Sequence, residues 1–303
     1  MINKELLKGI LIPNIFALVV IVLTKLATNA SDLGPILIAS DFILLPLAMG
    51  IMSAYHWQKL KLRTKQRLKY SLLTSCVTIF FSAFFMGEGY ICLLIVFPLL
   101  YGFLITGIFI GKYMFERKNN KLNMSVGILI LLIFLVDLFS PHVSERMVAD
   151  ELLIHAPIEN VWKNVVGFDS IQEPPRYWLF QIGMPKPLCT TVEGYYQGAG
   201  RKCIFTNGLV FNEKMIVFNP PENLTFDITE QPKDPELLGH IKITRGQFIL
   251  KRNKDNTTTL IGNSWYSLYV FPTWYFDLWA ESITRNVHTR VMEHIKKLSE
   301  KKL

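Results

Sequence analysis

The last predicted helix holds a stripe of side chains that could do chemistry. Glu281, Arg285 and His288 are spaced i, i+4 and i+7, so they lie along one face of a helix. If that face borders a cavity, these groups could bind the polar headgroup of a ligand. A glutamate four residues before an arginine more often forms an exposed ion pair, and this interpretation is favoured. His288 and His294 are accordingly predicted to be surface or packing residues.

A second polar pair is expected within a run of strands. Arg201 and Glu213 fall in neighbouring predicted strands, so they could meet across the sheet. They could form a structural ion pair or a polar anchor inside a cavity, and the structural role is favoured. Both residues are kept as candidates for ligand contact.

The sequence has no familiar catalytic or metal motif. It contains no Gly-x-Ser-x-Gly turn, no P-loop and no Gly-x-Gly-x-x-Gly after a strand. Its six histidines show neither His-Glu-x-x-His nor His-x-His spacing. We therefore predict no catalytic residue, no metal site and no cofactor, and we favour binding over catalysis.

Aromatic residues are dense in the C-terminal half of the chain. Most of them should form a core, but a domain with a cavity also needs walls. The residues expected to line such a cavity are Trp178, Phe205, Phe211, Phe226, Trp265 and Trp279, together with Arg201 and Glu213.

Four cysteines are too few for a disulfide scaffold. Cys76 and Cys92 fall in apolar segments, where they should be packing residues. Cys189 and Cys203 fall in the C-terminal half, where a tight hairpin at 197–200 would not place them opposite each other. Free thiols are therefore favoured over a bridge.

The two halves of the chain differ in charge and hydropathy. Half of the 303 residues are hydrophobic, and these crowd into the first 140 positions. The net charge is +8, but residues up to Ser140 contain 13 Lys and Arg against 6 Asp and Glu, whereas the remainder contains 19 against 18. Because the excess of cations belongs to the apolar half, we predict no nucleic-acid partner.

Five apolar segments in the first half are long enough, or nearly so, to cross a bilayer. They are predicted as helices over residues 9–28, 33–55, 70–86, 91–115 and 122–139. Twelve cations lie at the N-terminus and in alternate loops, and the other loops hold none. The positive-inside rule then places the N-terminus in the cytoplasm and everything after residue 140 outside it. A cleaved signal peptide at the first segment is the alternative, and it leaves the final domain on the same side.

Residues 141–303 are typical of a water-exposed α+β domain. A strand over 148–154 is followed by a helix that begins at Ala156-Pro157, and then by a series of strands between 188 and 270. The domain ends in a long helix from Pro272 to about Ser299, whose apolar side is Phe276, Trp279, Ile283, Val287, Val291, Ile295 and Leu298. One helix cannot fill the concave side of a curved six- or seven-stranded sheet, so an internal cavity is expected.

A resemblance to a known family begins at 154–162, where a strand end is followed by Ala-Pro-x-Glu-x-Val-Trp. This segment resembles the entry motif of the START/polyketide-cyclase-like (SRPBCC) superfamily, which has the helix-grip fold. Other segments resemble a bacterial membrane-anchored subgroup of it, namely residues 183–187, 198–205, 246–248, 265–266 and 290–298. The resemblance covers roughly residues 145–300. It implies a cavity for lipids, sterols or polyketides, with catalysis in only some members and no catalytic residue to carry over.

The sequence thus predicts a membrane region of about five helices (1–140) followed by an α+β helix-grip domain (141–303). We expect a bacterial inner-membrane protein whose extracytoplasmic domain holds a hydrophobic or lipid-like ligand, with the lipid bilayer as its other partner. Two alternatives stay open. A cyclase- or hydrolase-type enzyme should place groups with displaced pKa values in the cavity. A signalling or assembly protein that uses the domain as an interaction surface should have that cavity filled.

Overall fold

The computed structural model describes residues 4–30, 40–86, 89–117, 143–234 and 241–301. They form two compact units, the second of which comprises Val143–Tyr269 and Trp274–Leu303. The predicted fifth membrane helix (122–139) and the predicted domain boundary after residue 140 lie outside the described residues.

The described part of the first unit is helical. Its helices are α1 (Lys4–Ala30), α2 (Leu45–Trp57), α3 (Thr64–Met86) and α4 (Tyr90–Arg117). α2 and α4 approach each other at two glycines. A Cβ atom added at Gly50 would lie 2.1 Å from the Leu104 carbonyl oxygen, and one added at Gly107 would lie 2.1 Å from that of Leu47. This close packing therefore depends on the absence of a side chain at both positions.

The interior of the first unit is mainly apolar but also contains hydrogen-bonded polar side chains, and large apolar side chains are exposed on its surface. Thr78 Oγ1 donates a hydrogen bond to Asn14 Oδ1 at 2.8 Å, and Ser53 Oγ donates one to the Gly9 carbonyl oxygen at 2.8 Å. The exposed apolar side chains include Val19, Leu23, Phe80 and Phe84.

Two of the described helical segments are long and apolar enough to cross a membrane, Lys4–Leu23 and Tyr90–Phe115. The prediction of about five spanning helices is therefore too high for the part of the chain that the structure describes. α2 has 13 residues and directly follows a π-helical turn over Ser40–Leu44, while residues 33–39 of the predicted second segment lie outside the described residues. α3 begins with a cationic stretch that shortens its apolar part and includes Lys65, Arg67 and Lys69.

The second unit is built on one curled, seven-stranded antiparallel sheet. Its strands are β1 (Ser144–Ile154), β2 (Pro187–Val192), β3 (Gly200–Phe205), β4 (Val210–Asn219), β5 (Asn223–Glu230), β6 (Ile241–Arg252) and β7 (Thr258–Leu268). Their order is β1-β7-β6-β5-β4-β3-β2, so β2 to β7 form a meander and β1 adds beside β7. Residues that alternate along each strand face the same side, and the apolar set forms the inner face.

Two short helices, α5 (Ile158–Val166) and α6 (Trp178–Gln181), precede β2, and a long one, α7 (Thr273–Glu300), follows β7. Val291, Met292 and Ile295 of α7 join Leu224 and Leu260 of the sheet in one buried core. The buried side of α7 agrees with the predicted apolar side at Phe276, Val291 and Ile295 but differs from it at Trp279, Ile283 and Val287. The structure leaves those three side chains only partly buried, whereas the fully buried residues of α7 are Phe276, Ala280, His288, Val291, Met292, His294, Ile295 and Ser299.

Polar contacts tie α7 to the segment between α5 and β2. Arg290 donates to the carbonyl oxygens of Glu173 at 3.0 Å and Pro187 at 3.1 Å. His294 Nδ1 lies 3.2 Å from Glu173 Oε2. The Lys297 ammonium group, with smaller help from His294, lowers the pKa of Glu173 to about 2. These contacts hold the helix in place over the sheet, which gives the arrangement of a helix-grip domain.

Candidate functional site

A cavity of about 110 Å³ lies between the sheet and α7. Most of its wall is apolar and is formed by Phe168, Phe205, Phe211, Phe226, Ile228, Phe248, Val287 and Val291. Polar residues from five strands and from α7 line the rest, among them Thr190, Arg201, Cys203, Glu213, Ser264 and His288. The wall therefore combines an aromatic interior with a small number of polar groups, as is typical of ligand sites.

Five of the eight residues predicted to line a cavity border this one, namely Arg201, Phe205, Phe211, Glu213 and Phe226. The three tryptophans are not among its lining residues. Trp178 is 46% exposed and packs edge-on against Trp279, with ring centroids 6.3 Å apart. Trp265 follows the cavity residue Ser264 in β7, so strand alternation directs it to the other face. Whether the five wall residues contact a ligand stays a prediction.

Arg201 and Glu213 form a buried ion pair on the cavity wall. They lie opposite each other in β3 and β4 and are 3% and 6% exposed. Arg201 Nη1 donates to Glu213 Oε2, and its Nε donates to the Val166 carbonyl oxygen at 3.1 Å. Burial raises the pKa of Glu213, and the Arg201 guanidinium opposes part of that rise. The favoured structural ion pair is present and borders the cavity, and its role as a polar anchor for a ligand stays a prediction.

The guanidinium of Arg201 also lies over the Phe226 ring, 4.4 Å from its centroid, which is a cation–π distance. The same ring packs at 6.3 Å from that of Phe248. Phe226 is therefore held between a cation and a second aromatic ring, and this fixes the central part of the wall.

Cys203 and Thr190 lie opposite each other in β3 and β2 and also face the cavity. Burial raises the pKa of Cys203 to about 12, and the nearby Glu213 carboxylate adds to the effect. The thiol is therefore neutral and unreactive at physiological pH. The buried hydroxyl of Thr190 has no oxygen or nitrogen partner among the described residues. All four cysteines are free, as expected.

On the opposite wall, three side chains from different elements form a hydrogen-bonded chain. Ser264 Oγ in β7 lies 2.8 Å from His288 Nε2 in α7. His288 Nδ1 lies 2.7 Å from Asp150 Oδ2 in β1. The Arg285 guanidinium donates to Asp150 Oδ1 at 2.5 Å and also to Glu281 at 2.8 Å. Because a carboxylate can only accept, Asp150 fixes the imidazole tautomer with its proton on Nδ1 and leaves Nε2 free to accept from Ser264.

Of the two predicted positions for His288 and His294, surface or packing, the structure shows the buried, packed one. Both are 6% exposed and both are hydrogen-bonded to a carboxylate. Burial lowers the pKa of His288, and Asp150 offsets only part of that effect. The favoured surface ion pair between Glu281 and Arg285 exists, and of the three residues in that stripe only His288 borders the cavity.

Sequence reasoning did not single out Asp150 or Ser264. In β1, Asp150 lies on the inward-facing side, between Val148 and Leu152. An acidic residue among inward-facing apolar residues is a feature of the sequence that could have identified it. His288 lies at i, i+3 and i+7 with Val291 and Ile295, which also indicates burial. Ser264 carried no signal of its own, because serine is common in strands that face water.

Within the ranges that the structure describes, no group of three His, Cys, Asp or Glu side chains is arranged to hold a metal ion. The topology and the cavity define an α+β helix-grip domain with a partly polar, mainly aromatic interior.

No protein-family model and no curated protein matches this chain. Solved structures match about half of it at low identity. Truncated norcoclaurine synthase from Thalictrum flavum is 12% identical, with 54% of this chain and 99% of that chain covered and a TM-score of 0.38. A protein from Nitrosospira multiformis is 17% identical, with 52% and 97% covered and a TM-score of 0.35. The protein XoxI from Bacillus cereus is 18% identical, with 51% and 96% covered and a TM-score of 0.35. The fold assignment rests on the strand order and the position of α7 rather than on these values.

Proposed function

We propose that the helix-grip domain binds a small hydrophobic molecule in the cavity between its sheet and α7. The observation that carries this proposal is the cavity of about 110 Å³, which five phenylalanine rings help to wall. Transfer of apolar surface from water into such a site contributes about 25 cal/mol per Å² before ordering costs. The unfilled space also argues against a domain that serves only as an interaction surface.

The volume limits the size of the guest. A cavity of roughly 150 Å³ holds a benzene molecule, and drug-sized pockets measure roughly 300–1,000 Å³. A cavity of about 110 Å³ therefore suits one small ring, or the end of an acyl or isoprenoid chain, rather than a whole sterol. This narrows the broader lipid-like class that the sequence predicts.

The polar groups on the wall favour a guest with one hydrogen-bonding end. Arg201 and Glu213 are paired with each other, whereas the Thr190 hydroxyl has no oxygen or nitrogen partner in the described structure. A phenol or a short carboxylic acid could satisfy Thr190 while its apolar part fills the aromatic space. A fully apolar guest would leave that buried hydroxyl with only the Cys203 thiol, a weak hydrogen-bonding partner, beside it.

Membrane anchoring is the second part of the proposal. It is supported by the two apolar helical segments, by the large apolar side chains exposed on the first unit, and by the loop charges of the sequence. On this view the helix-grip domain lies outside the cytoplasm at a bacterial inner membrane. Membership of the START/polyketide-cyclase-like superfamily belongs to the same proposal and is supported by the strand order and α7.

The binding proposal is tested with the full chain in lipid nanodiscs and 4-fluorophenol as the probe, followed by ¹⁹F NMR. We expect saturable binding that long-chain 4-alkylphenols do not improve. Val287→Phe should place a ring in the cavity and weaken binding at least about tenfold, because the space is then occupied. Thr289→Phe, at an exposed position on the same helix, is the matched control. Absence of saturable binding, or equal binding by Val287→Phe, would refute the proposal.

A further inference from the structure

Three groups with complementary roles meet at one wall of the cavity. Ser264 supplies a hydroxyl, His288 supplies an imidazole 2.8 Å away, and Asp150 lies 2.7 Å from the other ring nitrogen. A hydroxyl, a base and a group that orients the base, each within hydrogen-bond reach of the next, are the parts of an activated serine nucleophile. We infer that Ser264, His288 and Asp150 form a nucleophilic serine site that hydrolyses small apolar carboxylic esters.

The base is in the protonation state that this chemistry needs. Burial lowers the pKa of His288, so its ring is neutral near pH 7 and can accept a proton at Nε2. The groups around it are the Asp150 carboxylate, the Arg285 guanidinium behind that carboxylate, and the Ser264 hydroxyl. Arg285 and Asp150 are positioning residues, because neither borders the cavity.

The three residues are held in place by three different elements, β1, β7 and α7. Asp150 lies opposite Gly262 in the β1–β7 pairing, and Ser264 lies two residues further along β7 on the same face. Gly262 lets α7 come close, since a Cβ atom there would lie 3.0 Å from Met292 Sδ and 3.9 Å from His288 Cγ. The site is thus built on a sheet and a long helix rather than on loops.

The Ser264 hydroxyl also faces usable space. It borders the cavity, and its neighbour across the strand pair in β6 is Gly246, which has no side chain to cover it. The Phe226 ring lies above Gly246, within 2.4 Å of where a Cβ atom would be. An ester at Ser264 would therefore have its apolar group against the aromatic part of the wall.

The reaction balances without any further reagent. Ser264 Oγ attacks the ester carbonyl carbon while His288 Nε2 takes the hydroxyl proton. The bond to the leaving alcohol breaks and His288 returns the proton to that alcohol. Water then attacks the acyl-serine, again with His288 as base, and releases the carboxylic acid with Ser264 restored. One water is consumed for each ester, and nothing is oxidised or reduced.

The inference rests on the proposed function, because the ester must enter the same cavity. Its volume of about 110 Å³ selects esters with a short or single-ring acyl group. The alternative is that the three residues only brace α7 on the sheet. A bracing network needs no reactive hydroxyl, so covalent labelling separates the two roles.

The test uses the full chain in detergent with a short-chain alkyl fluorophosphonate and with 4-nitrophenyl butyrate. We expect one phosphonyl adduct, located on Ser264 by peptide mass spectrometry, with fluoride released. Ser264→Ala should lose the adduct and at least about 100-fold in hydrolysis rate, and so should His288→Gln. Asp150→Asn should slow hydrolysis and displace its pH profile. Ser267→Ala, a buried serine of the same strand that does not line the cavity, should react like the wild type.

Wild-type protein that binds 4-fluorophenol but is not labelled at Ser264 would overturn the inference and leave the proposed function standing. Loss of both labelling and 4-fluorophenol binding would overturn both. Ser264→Ala that binds the probe but no longer hydrolyses the ester would support both. Wild-type labelling needs no variant, so it decides the question even if His288→Gln fails to fold.

Discussion

His288 Nδ1 lies 2.7 Å from Asp150 Oδ2, although 138 residues separate the two in the chain. The contact joins the first strand of the sheet to the last helix across the cavity wall. It orients an imidazole whose other nitrogen meets Ser264. Through this contact, α7 not only covers the cavity but also holds the His288 imidazole at the cavity wall.

Stability of the domain should fall as the pH drops below about 6.5. Burial lowers the pKa of folded His288 from its ordinary value of 6.5, so the unfolded chain takes up this proton first. The neutral, buried ring makes its full contribution to stability when the pH is above the pKa of His288 in the unfolded chain. That contribution is lost as the pH falls from this value towards the lower pKa of His288 in the folded protein. Thermal unfolding followed by near-UV circular dichroism between about pH 5 and pH 8 measures the slope. His288→Gln should flatten the slope, and an unchanged slope would contradict the assignment.

Removing one partner of the buried ion pair should destabilise the domain more than replacing both partners with apolar residues. Glu213→Ala leaves the Arg201 guanidinium buried without its partner, and we expect a loss of about 3–5 kcal/mol in the free energy of unfolding. The double variant Arg201→Met with Glu213→Leu should be closer to the wild type than Glu213→Ala alone. Urea-dependent pulse proteolysis of the full chain compares the three. A double variant that is less stable than the single one would contradict this reasoning.

Gly246 should tolerate a methyl group less well than Gly262. A Cβ atom at Gly246 would lie 2.4 Å from the Phe226 ring, which Arg201 and Phe248 hold from two sides. At Gly262 the nearest atom is the flexible end of Met292, 3.0 Å away. We expect Gly246→Ala to destabilise the domain by about 1–3 kcal/mol and Gly262→Ala by less. Melting temperatures of both variants check the order, and the reverse order would show that the Phe226 ring is free to move.

The close contact between α2 and α4 should depend on glycine. Gly107→Leu and Gly50→Leu both place atoms where the carbonyl oxygens of the partner helix lie, so they should lower the melting temperature in detergent. Gly102→Leu, also in α4, is the matched control, because a Cβ atom there has nothing within 4 Å. Equal losses in all three variants would mean that helix propensity, rather than packing, is responsible.

The proposed topology predicts the behaviour of reporter fusions. With a cytoplasmic N-terminus and the two apolar segments Lys4–Leu23 and Tyr90–Phe115 as spans, a reporter that works only outside the cytoplasm should be active after Leu33 and Gly89. It should be inactive after Lys118, and active again after Ser140 if the apolar residues 122–139 also cross the membrane. Cytoplasmic activity of a reporter fused at Leu303 would refute the placement of the helix-grip domain.

The sequence alone was sufficient for the strands, the final helix and the existence of a cavity. Period-two alternation of apolar residues marks a strand locally, and one long amphipathic helix after six or more strands leaves a concave face that it cannot fill. It also predicted five of the residues that border the cavity, because bulky side chains in the inward phase of strands reach the interior. The three tryptophans that the sequence also assigned to the cavity do not line it, since a large aromatic residue can also lie on the outer face of a sheet or at a helix end.

Tertiary structure alone brought Asp150, Ser264 and His288 together. Their meeting depends on β1 pairing with β7 in a register that places Asp150 opposite Gly262, which no local pattern specifies. It also depends on the rotation of α7 about its axis. The predicted apolar side included Trp279, Ile283 and Val287, but packing against the sheet buries His288 and Met292 instead of those three, together with the correctly predicted Val291. Helix rotation is decided by how side chains of particular volumes fit a particular curved sheet, and that fit exists only once the long-range strand pairs have formed.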